Sequence, residues 1–217
     1  MNNLVLVTGM ILEVSPVNDY DRRAVILTKE RGKITAFCRG ARRLNNKMMA
    51  ATNQFAFGQF KLYEGKNAYN LADAEISHYF EELRSDFEGA FLGMYFLEVA
   101  GYYTRENNDE VQMLKLLFQS VKAIIKDSLD NRLVRSIFEI KALVINGEFP
   151  GVPANKNMSD TVRYAVDFIV SSSIEKLYTF TLSEEAIVEL AAFSIDELIK
   201  HTDRKFKSLE YISNLGL

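Results

Sequence analysis

The hydrophobic period of this chain changes once. Up to Ile76 the apolar residues alternate, or run in short β-branched stretches bounded by turn residues. From Ser77 onward they recur at helical spacing. A strand has period two and a helix 3.6, so one segment cannot serve as both. The switch therefore divides the chain into a β part, residues 1–79, and an α part, residues 80–217.

Five strands are predicted in the first part. Leu4–Leu12 is the first, with Gly9 as a bend or bulge and Pro16 and Asn18-Asp19 as its stop. Arg22–Lys29 and Ile34–Arg39 are the second and third, joined through Glu30-Arg31-Gly32-Lys33, where glycine supplies the positive φ of a tight turn. Asn46–Ala51 has the pattern of one helical turn. Gln54–Tyr63 is the fourth strand, with Phe55 and Phe57 on one face, and Phe60 and Leu62 keep to that face only if a bulge absorbs one residue. Glu64-Gly65-Lys66-Asn67 turns into the fifth, Ala68–Ile76. Five strands with two tight hairpins and one longer connection suit a small OB-type barrel, whereas sandwiches need more strands.

The α part opens with Ser85 and Glu88 at capping-box spacing, followed by a helix to Tyr103. Gly89, Gly93 and Gly101 on that helix carry a local cost that a closely packed neighbour would offset. Further helices are predicted after Asn107–Glu110, from Asp130 to Asn146-Gly147, after Ser159, after Ser183, and over Arg204–Asn214. Glu148–Ser159 holds two of the three prolines and reads as a loop. The fold class is thus α+β: an N-terminal five-stranded OB-type barrel, then an α-helical bundle domain.

The formal net charge of −3 conceals an uneven distribution. Nine of the 26 residues from position 22 to 47 are basic, namely Arg22, Arg23, Lys29, Arg31, Lys33, Arg39, Arg42, Arg43 and Lys47, against the single acid Glu30. Six of the nine are arginine, whose planar guanidinium matches phosphate through two parallel hydrogen bonds. Strand alternation would gather these charges on one side, which marks a polyanion-binding surface. Without tryptophan, base stacking would fall to Tyr20, Phe37, Phe55, Phe57 or Tyr69, several of which must also fill the barrel.

Catalytic chemistry is not legible. His78 and His201 lack metal-site spacing, Cys38 stands alone with Arg39 beside it, and no nucleophile elbow or phosphate-cradling glycine loop occurs. The acidic pairs fall at turns and helix starts, where capping accounts for them. A single cysteine makes neither an intramolecular disulfide nor a thiolate zinc cage. Phe91–Tyr103, the longest apolar run, is interrupted by Glu98 and too short to span a bilayer. The residues read as a binding protein of the cytoplasm, not an enzyme, with no cofactor and no membrane.

Specific runs then resemble a known family. Val7–Leu12, Asp19–Arg22, Leu27–Ile34 and Arg39–Arg43 are similar to the opening of bacterial DNA repair protein RecO, as are Leu62–Gly65, Asp73–Glu75 and the tail Lys205–Tyr211. The likeness is strong over residues 5–80 and diffuse over the helices. It implies an OB domain that binds single- and double-stranded DNA and anneals complementary strands, in a nucleoid-associated protein. It also implies a helical domain that docks partners: RecR, the tail of single-strand-binding protein, and RecA indirectly. The Gly32 hairpin with Arg39, Arg42 and Arg43 would face DNA. Exposed apolar residues beside Lys115, Lys122, Arg132 or Arg135 would take an acidic tail.

One departure stands out. Many RecO proteins insert a four-cysteine zinc module after the third bundle helix. Here Leu143–Pro150 runs straight into Gly151-Val152-Pro153-Ala154-Asn155 without a cysteine, so zinc is expected to be absent. A competing reading is a protein-interaction module whose basic strip meets an acidic partner and binds DNA weakly or not at all.

Overall fold

The computed structural model describes residues 3–126, 128–153, 155–214 and 216. Met1, Ala154 and Leu217, named above as domain ends or loop residues, lie outside them. By contacts the chain forms two compact units, Met1–Glu81 with Ala100–Leu114, and Glu82–Val99 with Lys115–Leu217.

In the first unit β1 (Leu4–Val17), β2 (Asp21–Thr28), β3 (Gly32–Cys38), β4 (Phe57–Glu64) and β5 (Tyr69–His78) close a barrel in the order β1-β2-β3-β5-β4. Neighbours pair antiparallel except β3 with β5, which is parallel. Val7, Ile11, Ala24, Ile26, Ile34, Ala36, Cys38, Phe60, Leu62 and Tyr69 fill the interior. α1 (Met48–Ala51) contributes Met48 to that core, as the predicted helical turn does.

Closure needs two glycines. Gly9 pairs with Thr28 on one side and Gly58 on the other, the point at which β1 passes from one partner to the next. A Cβ on Gly9 would strike the Leu27 carbonyl, and one on Gly58 the Glu75 carbonyl. Gly9 therefore serves close approach of strands, and the bulge lies at Leu12, between the Ile11–Ile26 and Glu13–Val25 pairs.

Two strand expectations are corrected. β1 continues through Pro16 to Val17, because beyond Met10 it pairs with β2 alone and such an edge tolerates a proline. In β4 the inward residues are Gly58, Phe60 and Leu62, while Phe57 takes the other face. The compensating bulge is on β5, where Ser77 is passed over between the Phe57–His78 and Gly58–Ile76 pairs. Phe55 precedes the strand with φ of 69°.

The helices are α2 (Phe87–Tyr103), α3 (Val111–Lys126), α4 (Asn131–Ile145), α5 (Asp160–Ser171), α6 (Glu184–His201) and α7 (Lys207–Asn214). Asp130, Ser159 and Ser183 cap α4, α5 and α6 through their side chains as expected. At α2 the capping side chain is Asp86, which accepts from the Gly89 N–H at 2.9 Å, while Ser85 turns back to the Glu82 carbonyl. Gly89 meets the close neighbour that its cost called for, since a Cβ there would press on Ile124 of α3. α4 is the helix most enclosed, with Glu139 fully buried against Tyr95 and Ser194.

Candidate nucleic-acid interface

On β2 and β3 the even residues Ala24, Ile26, Ile34, Ala36 and Cys38 point inward, so Arg23, Lys33 and Phe37 point outward, and Arg39, the residue after β3, is exposed. Arg23 stands opposite Phe37 across the ladder. Beyond that end of the ribbon the β1–β2 turn meets the loop after β3. The Arg42 N–H donates to the Tyr20 carbonyl at 2.8 Å, and Arg42 Nη1 to the Asn18 carbonyl at 3.1 Å. The Arg43 guanidinium lies over the Tyr20 ring, 5.0 Å from its centroid. Asp21 fastens the start of this loop by accepting the Gly40 N–H at 2.7 Å. Arg23, Arg39, Arg42 and Arg43 thereby share one end of the ribbon with Tyr20 and Phe37.

The remaining five basic residues are elsewhere. Arg22 follows the inward face to the barrel's end, where Nη1 donates to Met49, Thr52 and Asn53. Lys29, Arg31 and Lys33 lie at the opposite end, around the Gly32 turn. Of these, Lys29 is exposed, Arg31 pairs with Glu64 at 3.3 Å, and Lys33 donates to the Gly101 carbonyl in the last turn of α2. Residues 105–107 cover that turn through the Lys33 N–H to Arg105 and the Asn107 N–H to Arg31. Lys47 pairs with Asp73 at 2.7 Å and holds that exposed carboxyl below its usual range. The basic run is therefore not one continuous strip. The four arginines near Tyr20 form the concentrated part, and among the described residues the side chains of Arg23, Lys29 and Arg39 have no hydrogen-bond or ion-pair partner.

Sequence reading missed this partition because the acceptors that occupy Arg22 and Lys33 lie 27 and 68 residues away. The aromatic candidates divide as well. Tyr20 and Phe37 are exposed, Phe55 and Phe57 half-buried, and Tyr69 is part of the core. Burial pushes the Cys38 thiol up to about 12, and the cation it senses is Arg22 rather than Arg39. Such a thiol is inert.

The sequence profile of the family described as recombination protein O, N-terminal, matches residues 1–80. DNA repair protein RecO of Acetivibrio thermocellus is 22% identical over 245 aligned positions, covering 98% of this chain and 98% of the relative. DNA repair protein RecO of Clostridium perfringens strain 13 is 24% identical, with 94% and 95% covered. The chain belongs to the RecO family.

A further RecO protein, from Symbiobacterium thermophilum, is 30% identical over 68% of this chain and 58% of its own length. The alignment with the Acetivibrio RecO is longer than the 217 residues of this chain, so that relative carries stretches absent here. Among the described residues of this RecO-family chain, no group of three or more His, Cys, Asp or Glu is placed to hold a metal ion. No described helix is long and apolar enough to cross a membrane.

In the second unit the four cations weighed for an acidic tail are not equivalent. Arg135 is buried beside Glu139, and Arg132 is clamped by Asp130 and Glu184. Lys115 lies 3.9 Å from Glu175, and Lys122 is exposed over the Phe118 ring. A hollow of about 590 Å³, lined by Ile199, Thr202, Phe206 and Leu209 together with the acids Asp203 and Glu210 and the cations Arg204 and Lys205, opens between α6 and α7.

Proposed function

We propose that this chain is a DNA-binding recombination mediator in DNA repair, acting without covalent catalysis. The observation that carries the reading is the convergence of Arg23, Arg39, Arg42 and Arg43 at one end of the outer β2–β3 face, the face that OB barrels offer to nucleic acid. Phosphate contacts of this kind carry little sequence preference, so single- and double-stranded DNA both bind. Lys29 and Arg31 extend the positive field at the Gly32 end, while Arg22, Lys33 and Lys47 serve mainly the barrel itself. Neutralising phosphates lets two strands approach, which supports annealing of complementary DNA.

The barrel, residues 1–79, would hold DNA, and the helical part, residues 80–217, would dock partners. In the family's setting these are RecR and the tail of single-strand-binding protein, with RecA loading as the outcome. The hollow between α6 and α7 would take the aromatic end of such a tail against Ile199, Phe206 and Leu209, with Lys205 beside it and the acids Asp203 and Glu210 on the same lining.

Annealing of two labelled complementary oligonucleotides, read by energy transfer, tests the reading. Wild type should accelerate pairing, and the Arg39/Arg42/Arg43→Glu variant should not, at unchanged thermal melting. Capture of an acidic protein, with no DNA affinity at low salt, would favour the protein-interaction reading instead.

A further inference from the structure

Two exposed rings, Tyr20 and Phe37, flank the arginines at this end of the β2–β3 ribbon. Tyr20 is 54% exposed although Arg43 covers one face of its ring. Phe37 is 39% exposed, directly across from Arg23, with Arg39 next on its side of β3. Among the described residues neither ring packs on another aromatic side chain. Turning an aromatic ring to water forgoes several times the burial energy of a small residue. Every base has a π-face, and a single strand exposes those faces where a duplex hides them in its stack.

We propose that Tyr20, backed by Arg43, and Phe37, flanked by Arg23 and Arg39, form a seat for the faces of unpaired bases of single-stranded DNA. The arginines take the phosphates on either side. Bases held by their faces keep their Watson–Crick edges open, so a strand on this seat is presented for pairing with a second one. The seat distinguishes single strand from duplex, which phosphate contacts alone do not. Arg43 has two functions here, covering the inner face of Tyr20 and reaching a phosphate.

The proposal rests on the phosphate-binding reading above, and one set of titrations separates the two. A Tyr20→Leu/Phe37→Leu variant keeps apolar bulk and removes the flat rings. Its affinity for a 30-nucleotide single strand should fall at least about fivefold, and up to about a hundredfold. Its affinity for a duplex of equal length and its salt slope should stay at wild-type values. A strand with a central run of abasic sites should bind wild type as weakly as the ordinary strand binds the variant. 2-Aminopurine placed in the strand should change its emission on wild type and not on the variant. Tyr20→Phe, which retains the ring, should behave as wild type.

Equal binding of abasic and ordinary strands, or an unchanged single-strand affinity in the leucine variant, would overturn the seat. Loss of binding in the Arg39/Arg42/Arg43→Glu variant would then leave the phosphate reading standing. If the charge-reversed variant also binds normally, both readings fall.

Discussion

The Arg22 guanidinium is tied to Thr52 twice, with Nη1 donating to its hydroxyl at 3.0 Å and to its carbonyl at 3.3 Å. The same nitrogen reaches the Met49 carbonyl and the Asn53 side chain. This arginine fastens the α1 loop across the end of the barrel beside Cys38, and its charge serves the fold.

Arg22→Ala should therefore destabilise the protein by about 1–3 kcal/mol through acceptors left without a donor. Arg39→Ala, at an exposed side chain without partners, should leave melting unchanged. Thermal denaturation of the two variants side by side checks the contrast.

That contrast also shows what the sequence could and could not convey. The alternation in Ala24, Ile26, Ile34 and Ala36 is legible because each strand has one face in the core, and the barrel follows from it. The partners of a basic residue are not legible, because Arg22 and Lys33 are satisfied by groups distant in the chain. The meeting of Tyr20 with Arg42 and Arg43 depends likewise on two loops folding against each other. The strand phase at Phe57 is not legible, because the bulge lies on the partner strand, β5. The tail Lys205–Tyr211 reads as helical from its periodicity and as family-like from its residues, and its contacts give the physical reason for those residues. Phe206 packs edge-on against Tyr95, Ser208 binds Glu98, and Tyr211 stacks on Phe91.

Glu98 of α2 serves as the cap of α7 from a distant part of the chain. Its carboxylate accepts the Lys207 N–H, the Ser208 N–H and the Ser208 hydroxyl, and pairs with Arg204 at 3.1 Å. Burial opposes the charge, but these donors outweigh it and hold the Glu98 pKa below the usual value. A depressed acid stabilises the fold above its unfolded pKa, near 4.3, and that contribution is lost as pH falls through the folded value. Proteolysis of the tail should accelerate below about pH 4. Glu98→Gln should show the faster cleavage already at neutral pH, and a pH-independent rate in wild type would contradict the capping role.

Glu139 runs in the opposite direction. Burial raises its pKa against the pull of Arg135, Ser194 and Tyr95. A raised acid pKa means that ionisation is penalised in the folded state, so its contribution to stability declines as pH rises from about 4.3 toward the folded pKa. Glu139→Leu removes the acceptor and leaves Arg135 buried without a counter-charge, at a cost of about 3–5 kcal/mol. Glu139→Gln should be milder and should flatten that part of the pH–stability curve. Denaturant unfolding across this pH range provides the check.

Gly58→Ala should prevent closure of the barrel, because the added Cβ meets the Glu75 backbone rather than a side chain that can turn away. Gly147 lies in open space, so Gly147→Ala should cost only the strain of its positive φ. Expression yield and far-ultraviolet circular dichroism of the two variants distinguish a broken sheet from a strained turn.

The central claim is that the arginines beside Tyr20 bind DNA phosphates. Fluorescence anisotropy of a labelled 30-nucleotide strand, titrated at several salt concentrations, tests it most directly. The comparison is wild type, Arg39/Arg42/Arg43→Glu, and a charge-matched Lys115/Lys122/Lys126→Glu control. The account predicts salt-steep binding by wild type and the control, with a log–log slope of about −2 to −3 for three to four phosphates, and no binding by the arginine variant. Equal loss in both variants, or retention in the arginine variant with native melting, would contradict it.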